Sequence, residues 1–374
     1  MAVVDSIFAH VRTAPHKPAL IYNGRSVGYG DFAARIAAMG GFLNSRSIAR
    51  DRVAMICANH LVDAWIIGLA LRGLGVTTVH GRSAQDIGRL GLGDVSVVSA
   101  GAESWPGLGE ATARAGWPLI TTPGDLETTA PGPSPALRTQ SGGHILLTSG
   151  TTGASKKVLV APAHGAGNVT VRTAVLDVSA DSVIDLFDFG GRTAMGHQWP
   201  VCVWTLGGTV VLHQTPDRFR SLSAPGLTHI MTQPQLLAEL LDAPLEVSLR
   251  NEAAMLVGGA GVLSLAQWRI TGDVRVLVGS TEADNFTLTR IEAPEDLGWH
   301  HVVRGCELQV VDDQDNVLPP GRIGAVRVRT TGVDEYLGDQ ETSRTFFRGG
   351  WFYPGDLGLL RATGGLRCRG ATPT

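Results

Sequence analysis

The chain has 374 residues, of which 44% are hydrophobic and 17% are charged, and its formal net charge at pH 7 is −3. This composition predicts a globular protein of two or three subdomains and excludes a disordered chain. Lysine and arginine are scattered rather than clustered, so we expect no nucleic-acid partner. No apolar stretch is long enough and free enough of charge to span a bilayer, so we expect no membrane partner.

The N-terminus and the cysteines indicate a cytoplasmic protein. An early Asp5 and the spacing of apolar residues predict an amphipathic helix that ends before Pro15, rather than a signal peptide. The four cysteines lie far apart and outside any metal or redox spacing, so we expect inert thiols in a reducing compartment. They are Cys57, Cys202, Cys306 and Cys368.

The first half of the chain alternates apolar strands with helices, which is the pattern of a parallel sheet. Helices are predicted at residues 31–43 and 59–74, and strands at 52–57, 76–79, 95–99 and 118–121. Residues 128–143 are rich in proline, glycine, serine and threonine, which predicts a surface linker that leads into a strand at Leu146.

The second half continues this alternation and then changes. Helices are predicted near residues 164–178 and at 235–241, and strands at 183–189, 227–231, 254–257 and 274–278. From about residue 302, short alternating strands between turn residues predict an antiparallel barrel or sheet. These strands are expected at 306–311, 323–329, 351–353 and 359–361.

Three predicted strands end in loops of small residues, at Thr148, Gly258 and Gly279. The first loop, LLTSGTTGASKKVLV at 146–160, offers backbone N–H groups, hydroxyls and two lysines, which suit an anionic polyphosphate. It is not a Walker A loop, because Lys156 does not directly follow a glycine. Such loops also occur as plain linkers, but ligands of parallel sheets bind beyond the strand ends, where three loops could converge.

Four motifs, in order along the chain, carry a resemblance to a known family. They are TSGTTGASKK at 148–157, GGA at 258–260, VGSTE at 278–282 and GWFYPGD at 350–356. They resemble the TSGTTGxPKG, GGA, YGxTE and GWxxTGD motifs of the adenylate-forming superfamily: acyl- and aryl-CoA synthetases, peptide-synthetase adenylation domains and luciferases. The resemblance covers essentially the whole chain.

The resemblance implies an α/β fold of two doubly wound, mainly parallel sheets with helices, plus a smaller antiparallel β-barrel subdomain. The implied subdomains are approximately 1–165, 166–300 and 301–374. Superfamily members continue through a hinge into a small C-terminal domain that carries a further lysine, whereas this chain stops at Thr374, near the expected hinge. We therefore expect the large N-terminal domain alone, which binds ATP but turns over poorly.

The implied reaction has two steps and needs ATP, Mg²⁺ and CoA or phosphopantetheine. A substrate carboxylate attacks the α-phosphate of ATP and expels pyrophosphate, so positioning and charge neutralisation are expected to dominate catalysis. The acyl-adenylate then passes to the thiol of CoA or of a carrier protein. The expected partners are therefore a small carboxylic acid, ATP, and CoA or a carrier protein, and association into a homodimer stays open.

Site roles are carried over from the superfamily position by position. The catalytic candidates are Lys156 on the pyrophosphate, Thr281 on the α-phosphate and Glu282 on Mg²⁺. Asp356 is expected to accept hydrogen bonds from the ribose, and Arg369 to serve the ribose or the hinge. The other nucleotide-binding candidates are Thr148, Ser149, Gly150, Thr151, Thr152, Gly153, Gly258, Gly259, Ala260, Val278, Gly279 and Ser280.

Five positions depart from the superfamily motifs. Val278 replaces the tyrosine that stacks on adenine, which removes the stacking but leaves an apolar wall. Ser155 and Lys157 replace proline and glycine, which predicts a less rigid loop. Pro354 replaces a threonine, and Ala371 stands where the hinge arginine is expected. These changes predict an unusual nucleotide grip or a weakened adenylation step.

The resemblance places the acyl pocket around residues 187–199. A lone histidine there is more often a structural residue than a ligand. Asp188 could bind the ammonium group of an amino acid, but its distance from the glycine pair at 207–208 is more typical of acyl- and aryl-CoA synthetases. We therefore favour a non-amino acid. The expected lining is Phe189, Met195, His197, Trp199 and Gly259.

Three functions stay open at this stage. The leading one is an AMP-forming carboxylic acid:thiol ligase, of a kind used in secondary metabolism. The second is an amino-acid adenylation domain of a peptide synthetase. The third is a non-catalytic homologue that binds a nucleotide or an acyl-adenylate, which the motif departures would allow.

Overall fold

The computed structural model describes most of the chain, in ranges separated by gaps. The fold is α/β, as expected, and one hydrophobic core joins its two sheets. Within the described ranges, no helix combines the length and the apolar character needed to cross a membrane. The described residues are 3–48, 52–101, 105–123, 142–148, 155–161, 169, 172–173, 176–187, 189–191, 193–213, 222, 224–242, 254–258, 273–330 and 332–371.

The chain begins with a helix, a hairpin and a second helix. Helix α1 (Val3–Thr13) confirms the predicted amphipathic helix. Strands β1 (Pro18–Tyr22) and β2 (Arg25–Gly28) form a hairpin, and both residues of the Asn23–Gly24 turn have positive φ, as such tight turns require. Helix α2 (Tyr29–Ser45) covers the predicted helix and buries its apolar face.

A six-stranded sheet follows, in the spatial order β6-β5-β3-β4-β7-β8. Its strands are β3 (Val53–Cys57), β4 (Thr77–His80), β5 (Val95–Ala100), β6 (Leu119–Thr122), β7 (His144–Thr148) and β8 (Lys156–Val160). All pairs are parallel except β7–β8. Helix α3 (Leu61–Gly73) links β3 to β4 and is buried on nearly every side, and α4 (Leu108–Ala115) links β5 to β6.

The second sheet has a parallel centre in the order β13-β12-β11-β9-β10-β1. Its elements are β9 (Val183–Asp185), α5 (Ala194–Leu206), β10 (Thr209–Leu212), β11 (His229–Thr232), α6 (Pro234–Asp242), β12 (Ala254–Gly258) and β13 (Val274–Ser280). The expectation of two mainly parallel sheets is confirmed. Strands β1 and β2 join this second sheet, because β1 pairs with β10 although it precedes the first sheet in sequence.

The last strands are antiparallel, as predicted, but the described strands form no closed barrel. Closure needs the first and last strands of a sheet to pair. Here β13 already pairs with β12 on one side and β14 on the other, so the antiparallel strands extend the second sheet to 15 strands. The elements are β14 (Asp284–Ile291), β15 (His300–Val302), β16 (Glu307–Val311), β17 (Gly324–Arg329), α7 (Gln340–Phe346), β18 (Phe347–Arg348), β19 (Trp351–Phe352), β20 (Asp356–Leu360) and β21 (Gly365–Ala371).

The strand predicted at 183–189 is shorter than expected. The side chain of Asp185 accepts a hydrogen bond from the backbone N–H of Phe187 at 2.8 Å, and Phe187 has a φ of 45°. This turn takes the chain out of the sheet after β9. The predicted linker at 128–143 and helix at 164–178 lie largely outside the described residues.

Helix α5 was not predicted, and it contains Pro200 in its interior. The hydroxyl of Thr193 caps its start by accepting from the N–H of Gly196 at 2.9 Å. Proline has no N–H to offer the carbonyl of Gly196, four residues earlier. The indole of Trp65 in α3 donates to that carbonyl instead, at 2.8 Å. A tertiary contact therefore stabilises a helix that proline would otherwise weaken.

All four cysteines are free thiols. Burial raises the pKa of Cys57, and it raises that of Cys202 to about 11. Burial likewise raises the pKa of Cys306 and of Cys368 to about 11. The thiols therefore stay protonated near neutral pH, where a protonated thiol is a poor nucleophile.

Candidate functional site

Glu282 lies in the turn between β13 and β14 and is only 8% exposed. The hydroxyl of Tyr336 donates to Glu282 Oε1 at 2.8 Å, and the N–H of Val333 donates to the Glu282 carbonyl at 3.0 Å. Among the described residues, the Tyr336 hydroxyl is the one hydrogen-bond donor to this carboxylate, and it binds Oε1. Burial, and next the Glu282 carboxylate, raise the pKa of Tyr336, so the phenol keeps its proton. The carboxylate is held at one oxygen and available at the other.

Lys156 begins β8, directly opposite Thr148 in the ladder with β7. Its Nζ lies 3.3 Å from the ring centroid of Phe346 and 5.1 Å from that of Tyr336. Burial lowers the pKa of Lys156, while Glu282 and Asp339 act in the opposite direction. Among the residues that the structure describes, no carboxylate forms a salt bridge with this ammonium group. The aromatic ring faces stabilise the charge without neutralising it.

Thr148 ends β7 at the start of the predicted phosphate loop. Its Oγ1 is buried and has no hydrogen-bond partner in the described part of the chain. Buried hydroxyls are nearly always hydrogen-bonded in folded proteins, so this one is suited to a ligand oxygen. The rest of the predicted loop lies outside the described residues: Ser149, Gly150, Thr151, Thr152 and Gly153.

Gly279 sits at a bulge between β13 and β14. A Cβ on this residue would collide with the carbonyl oxygen of Asp284, so glycine is required there. The hydroxyl of Ser280 accepts from the N–H of Ala283 at 3.1 Å, which closes the turn that carries Thr281 and Glu282. The glycine and serine of the VGSTE motif therefore shape the turn that presents Glu282.

Val278 is an interior residue. It is 3% exposed and belongs to the same buried cluster as Phe286, Val328 and Phe352, in the core of the antiparallel strands. Its role as an apolar wall beside the nucleobase stays a prediction.

The remaining nucleotide-binding candidates lie at the ends of other strands. Gly258 ends β12, whereas Gly259 and Ala260 lie outside the described residues. Asp356 begins β20, and burial raises the pKa of its carboxyl group. Arg369 is an exposed residue of β21.

The acyl-pocket candidates have different surroundings. Trp199 is 2% exposed, and the guanidinium of Arg172 lies 4.8 Å from its ring centroid. The sulfur of Met195 accepts from the side-chain amide of Gln233 at 3.2 Å. Phe189 is partly exposed in the loop before α5. Trp199 is thus a core residue, while Met195 and Phe189 are accessible.

Arg172 is a residue that sequence reasoning missed. It is 1% exposed and forms an ion pair with Asp284, at 2.8 Å between Nη2 and Oδ1. Its Nη1 also donates to the carbonyl of Gln198 in α5 at 3.0 Å. Asp284 lies two residues after Glu282, so Arg172 connects α5 to the Glu282 turn. The spacing of Arg172 from the four motifs gave no signal of this contact.

His197 belongs to a buried cluster with His80, His144 and Arg72. The rings of His144 and His197 stack at 3.5 Å between centroids, and Arg72 Nη1 lies 3.4 Å from His197 Nε2. Burial lowers the pKa of His80 to about 4 and those of the other two imidazoles well below the usual value. The three rings are therefore neutral near pH 7. The neighbours of His197 were missed because they lie more than 50 residues away in sequence.

A comparison with protein-family models matches residues 99–335 to the family described as "AMP-binding enzyme". The match covers more than half of the chain, and the chain belongs to this family. No narrower name follows from the match itself.

Two of the curated relatives with similar sequences are named for aromatic acids. A salicylyl-CoA synthase / salicylate adenylyltransferase from Streptomyces sp. is 29% identical over 253 residues, 60% of this chain and 44% of that protein. An indoleacetate–CoA ligase from Aromatoleum aromaticum is 26% identical over 235 residues, 57% of this chain and 44% of that protein. The matched part of the chain thus spans less than half the length of these relatives.

Solved structures with the same fold cover nearly the whole chain. The ATP-bound MatB of Rhodopseudomonas palustris has a TM-score of 0.84 at 21% identity, over 99% of this chain and 79% of that chain. The O-succinylbenzoate coenzyme A synthetase MenE of Bacillus subtilis, in complex with ATP and magnesium, has a TM-score of 0.84 at 20% identity, over 98% and 79%. At these identities the likeness shows a shared fold.

Proposed function

We propose that this chain is the nucleotide- and acid-binding part of an AMP-forming carboxylic acid:CoA ligase. It would bind Mg–ATP and a non-amino carboxylic acid and support formation of the acyl-adenylate. The thiol acceptor would be CoA, and the restriction to CoA rests on the names of the curated relatives. An acceptor on a carrier protein is the alternative outcome.

The observation that carries the proposal is the grouping of Lys156, Glu282 and Tyr336. Lys156 and Glu282 come from two different motifs, and Tyr336 lies outside the motifs, more than 50 residues after Glu282. The carboxylate of Glu282 and the ammonium group of Lys156, which has no acidic partner among the described residues, both lie beside Tyr336 and form the pair of charges that a metal-bound polyphosphate needs. An ordinary surface salt bridge would instead pair the two groups directly.

The donor set fits Mg²⁺ and the phosphates of ATP. Mg²⁺ takes few protein carboxylates together with phosphate oxygens, and Glu282 would offer Oε2, since its hydrogen bond from Tyr336 uses Oε1. The hydroxyl of Thr148, which has no partner among the described residues, would donate a hydrogen bond to a phosphate oxygen. When bound, Mg²⁺ would neutralise phosphate charge. Tyr336 orients Glu282, and Lys156 and Thr148 would hold the leaving pyrophosphate.

The nucleoside and acid positions are proposed from the placement of their residues in the fold. Asp356 would accept from the ribose hydroxyls, since its carboxylate stands at a strand start after Gly355, which has a φ of 89°. Accessible Met195 and Phe189 would line the acid, and buried Trp199 would support that wall from behind. Val278, being a core residue, would leave the nucleobase to backbone contacts.

Binding of acyl-sulfamoyl adenosines, which mimic the acyl-adenylate, tests the substrate class. We would titrate the protein with aryl, arylacetyl, short aliphatic and aminoacyl members, using calorimetry. The proposal expects an aryl or arylacetyl member to bind best. Preference for an aminoacyl member would overturn the non-amino assignment, and absence of binding by every member and by Mg–ATP would overturn the function.

Two neighbouring lysines allow a matched test of the phosphate site. Lys156→Ala is expected to weaken Mg–ATP binding by about tenfold or more, because a charge-assisted contact to phosphate is lost. Lys157→Ala is the control, since the Lys157 amine points instead toward Gly91. Equal affinities of the two variants, by calorimetry, would remove Lys156 from the phosphate site.

A further inference from the structure

Three histidines from distant parts of the chain meet inside the molecule. His80 ends β4, His144 begins β7 and His197 lies in α5. All three are buried, and one ring nitrogen of each lies within 4.8 Å of the others. Imidazole nitrogens are preferred ligands of Zn²⁺ and related transition metals, and three of them form a common donor set.

The hydrogen bonds of His144 leave one of its nitrogens unused. Its Nδ1 lies 2.7 Å from the hydroxyl of Thr78, whose own proton is directed at the carbonyl of Gly143, 3.5 Å away. In the tautomer whose Nδ1–H donates to this hydroxyl, the lone pair of the imidazole is on Nε2. That Nε2 is buried and has no hydrogen-bond partner within the described ranges. Metal-bound histidines are held in this way, with the second nitrogen donating to a protein oxygen.

The cluster is also connected to space that a water molecule and an entering ion can use. His80 and His197 border a small internal cavity with room for about one water molecule, beside Arg72 and Trp65. His80 also lines a pocket of about 290 Å³ that opens between Asn59, Arg82 and Trp105. The ring of His80 rests against Gly191, where any Cβ would meet it at 2.9 Å.

We propose that His80, His144 and His197 bind one divalent transition-metal ion of the zinc class, with water as the fourth ligand. This site is separate from the Mg²⁺ position at Glu282, contains no carboxylate and does not depend on the proposed ligase function. Ligand nitrogens of a tetrahedral zinc site lie about 3.3 Å apart, given bonds of about 2.05 Å. Binding therefore draws the three rings inward and turns the stacked His144 and His197 rings edge-on to the ion.

Arg72 gives the site a second, distinctive property. Its guanidinium lies 3.4 Å from His197 Nε2, the nitrogen that the metal would use. The arginine therefore competes with the ion, both by hydrogen bonding and by like-charge repulsion. Its removal should strengthen metal binding, which a chance metal contact at the surface would not show.

Cobalt titration of untagged, chelator-treated protein tests the proposal directly. We expect one Co²⁺ per chain, with the intense visible absorption of four-coordinate cobalt, displaced by Zn²⁺. His80→Gln, His144→Gln and His197→Gln should each abolish this absorption. His229→Gln is the matched control, because His229 is buried outside the cluster and bonds to Leu176 and Thr228. Arg72→Met should bind Co²⁺ about tenfold more tightly.

Three results would overturn the proposal. They are no stoichiometric binding by the wild-type protein, an octahedral cobalt spectrum, and equal loss of binding in the His229 control. If a cluster variant fails to fold by circular dichroism, X-ray absorption of the zinc-loaded wild-type protein decides the matter by counting imidazole ligands. Three imidazoles would support the site and fewer would overturn it.

Discussion

Two arginines are buried against adjacent residues of α5, and they are neutralised very differently. Arg172 lies beside Gln198 and pairs with the carboxylate of Asp284 at 2.8 Å. Arg72 lies beside His197, and its Nε donates to the carbonyl of Gly142 at 3.2 Å. Within the described ranges, Arg72 has no carboxylate partner, and burial lowers its pKa to about 10.

The difference separates two roles for buried charge. The Arg172 pair holds α5 to the turn that presents Glu282, so its charges position the candidate site. Among the described residues, the guanidinium of Arg72 is hydrogen-bonded to a carbonyl and an imidazole, so burial of its charge is energetically costly. Burial of an arginine is thus not enough to infer a salt bridge. The energetic cost of the buried charge depends on whether a carboxylate lies beside it.

Breaking the Arg172 pair should have the largest effect. Arg172→Met leaves the carboxylate of Asp284 buried without its cation and should lower the free energy of unfolding by about 3 to 5 kcal/mol. Urea denaturation measures this loss. A double variant with Asp284→Asn should be less destabilised than the sum of the single variants. Strict additivity would mean that the pair contributes no coupling.

The second effect concerns ligand binding rather than stability. Glu282→Gln should weaken Mg–ATP binding by about 10- to 100-fold and leave binding of magnesium-free ATP unchanged, since the lost group is the metal ligand. Calorimetry with and without Mg²⁺ makes the comparison. Glu307→Gln is the control, because Glu307 forms an exposed pair with Arg329. Equal weakening with and without the metal would contradict the role of Glu282.

The smallest effect is expected at the other arginine. Arg72→Met replaces an unpaired buried charge with an apolar chain of similar length, so the free energy of unfolding should change by no more than about 1 kcal/mol in either direction. Denaturation alongside Arg172→Met gives the contrast directly. A loss as large as that of Arg172→Met would show that Arg72 has an acidic partner and would remove the distinction between the two arginines.

Local patterns predicted much of the fold. The helices now seen at α1, α2 and α3 and the strands β3 to β7 were expected from periodicity, because their apolar spacing matches burial on one or both faces. Helix α5 was missed, since the carbonyl that Pro200 leaves free is satisfied by Trp65 from another helix. The prediction of a closed barrel was wrong for the described strands. Alternation of apolar and polar residues predicts antiparallel strands, but it does not predict which strand edges pair.

The candidate site was predictable only in part. Lys156 and Glu282 were identified from motifs, since a loop must supply particular chemical groups in a fixed order along the chain. Tyr336 and Phe346 lie outside every motif, so their contacts with those two residues could not be foreseen. The assignments of Thr281, Asp356 and the glycine loops stay predictions.

The sequence by itself determined the α/β class and the family motifs, and it supplied the candidate residues for phosphate and Mg²⁺ binding. These features depend on the order of neighbouring residues along the chain, which can be read directly from a single sequence. Only the tertiary structure decided that Val278 is a core residue and that His197 has two imidazole neighbours. It also decided that Arg172 pairs with a carboxylate, whereas Arg72 has none among the described residues. Those contacts join residues that are far apart in the chain. The energy of a buried polar or charged group depends on its partner, and only folding determines which partner lies beside it.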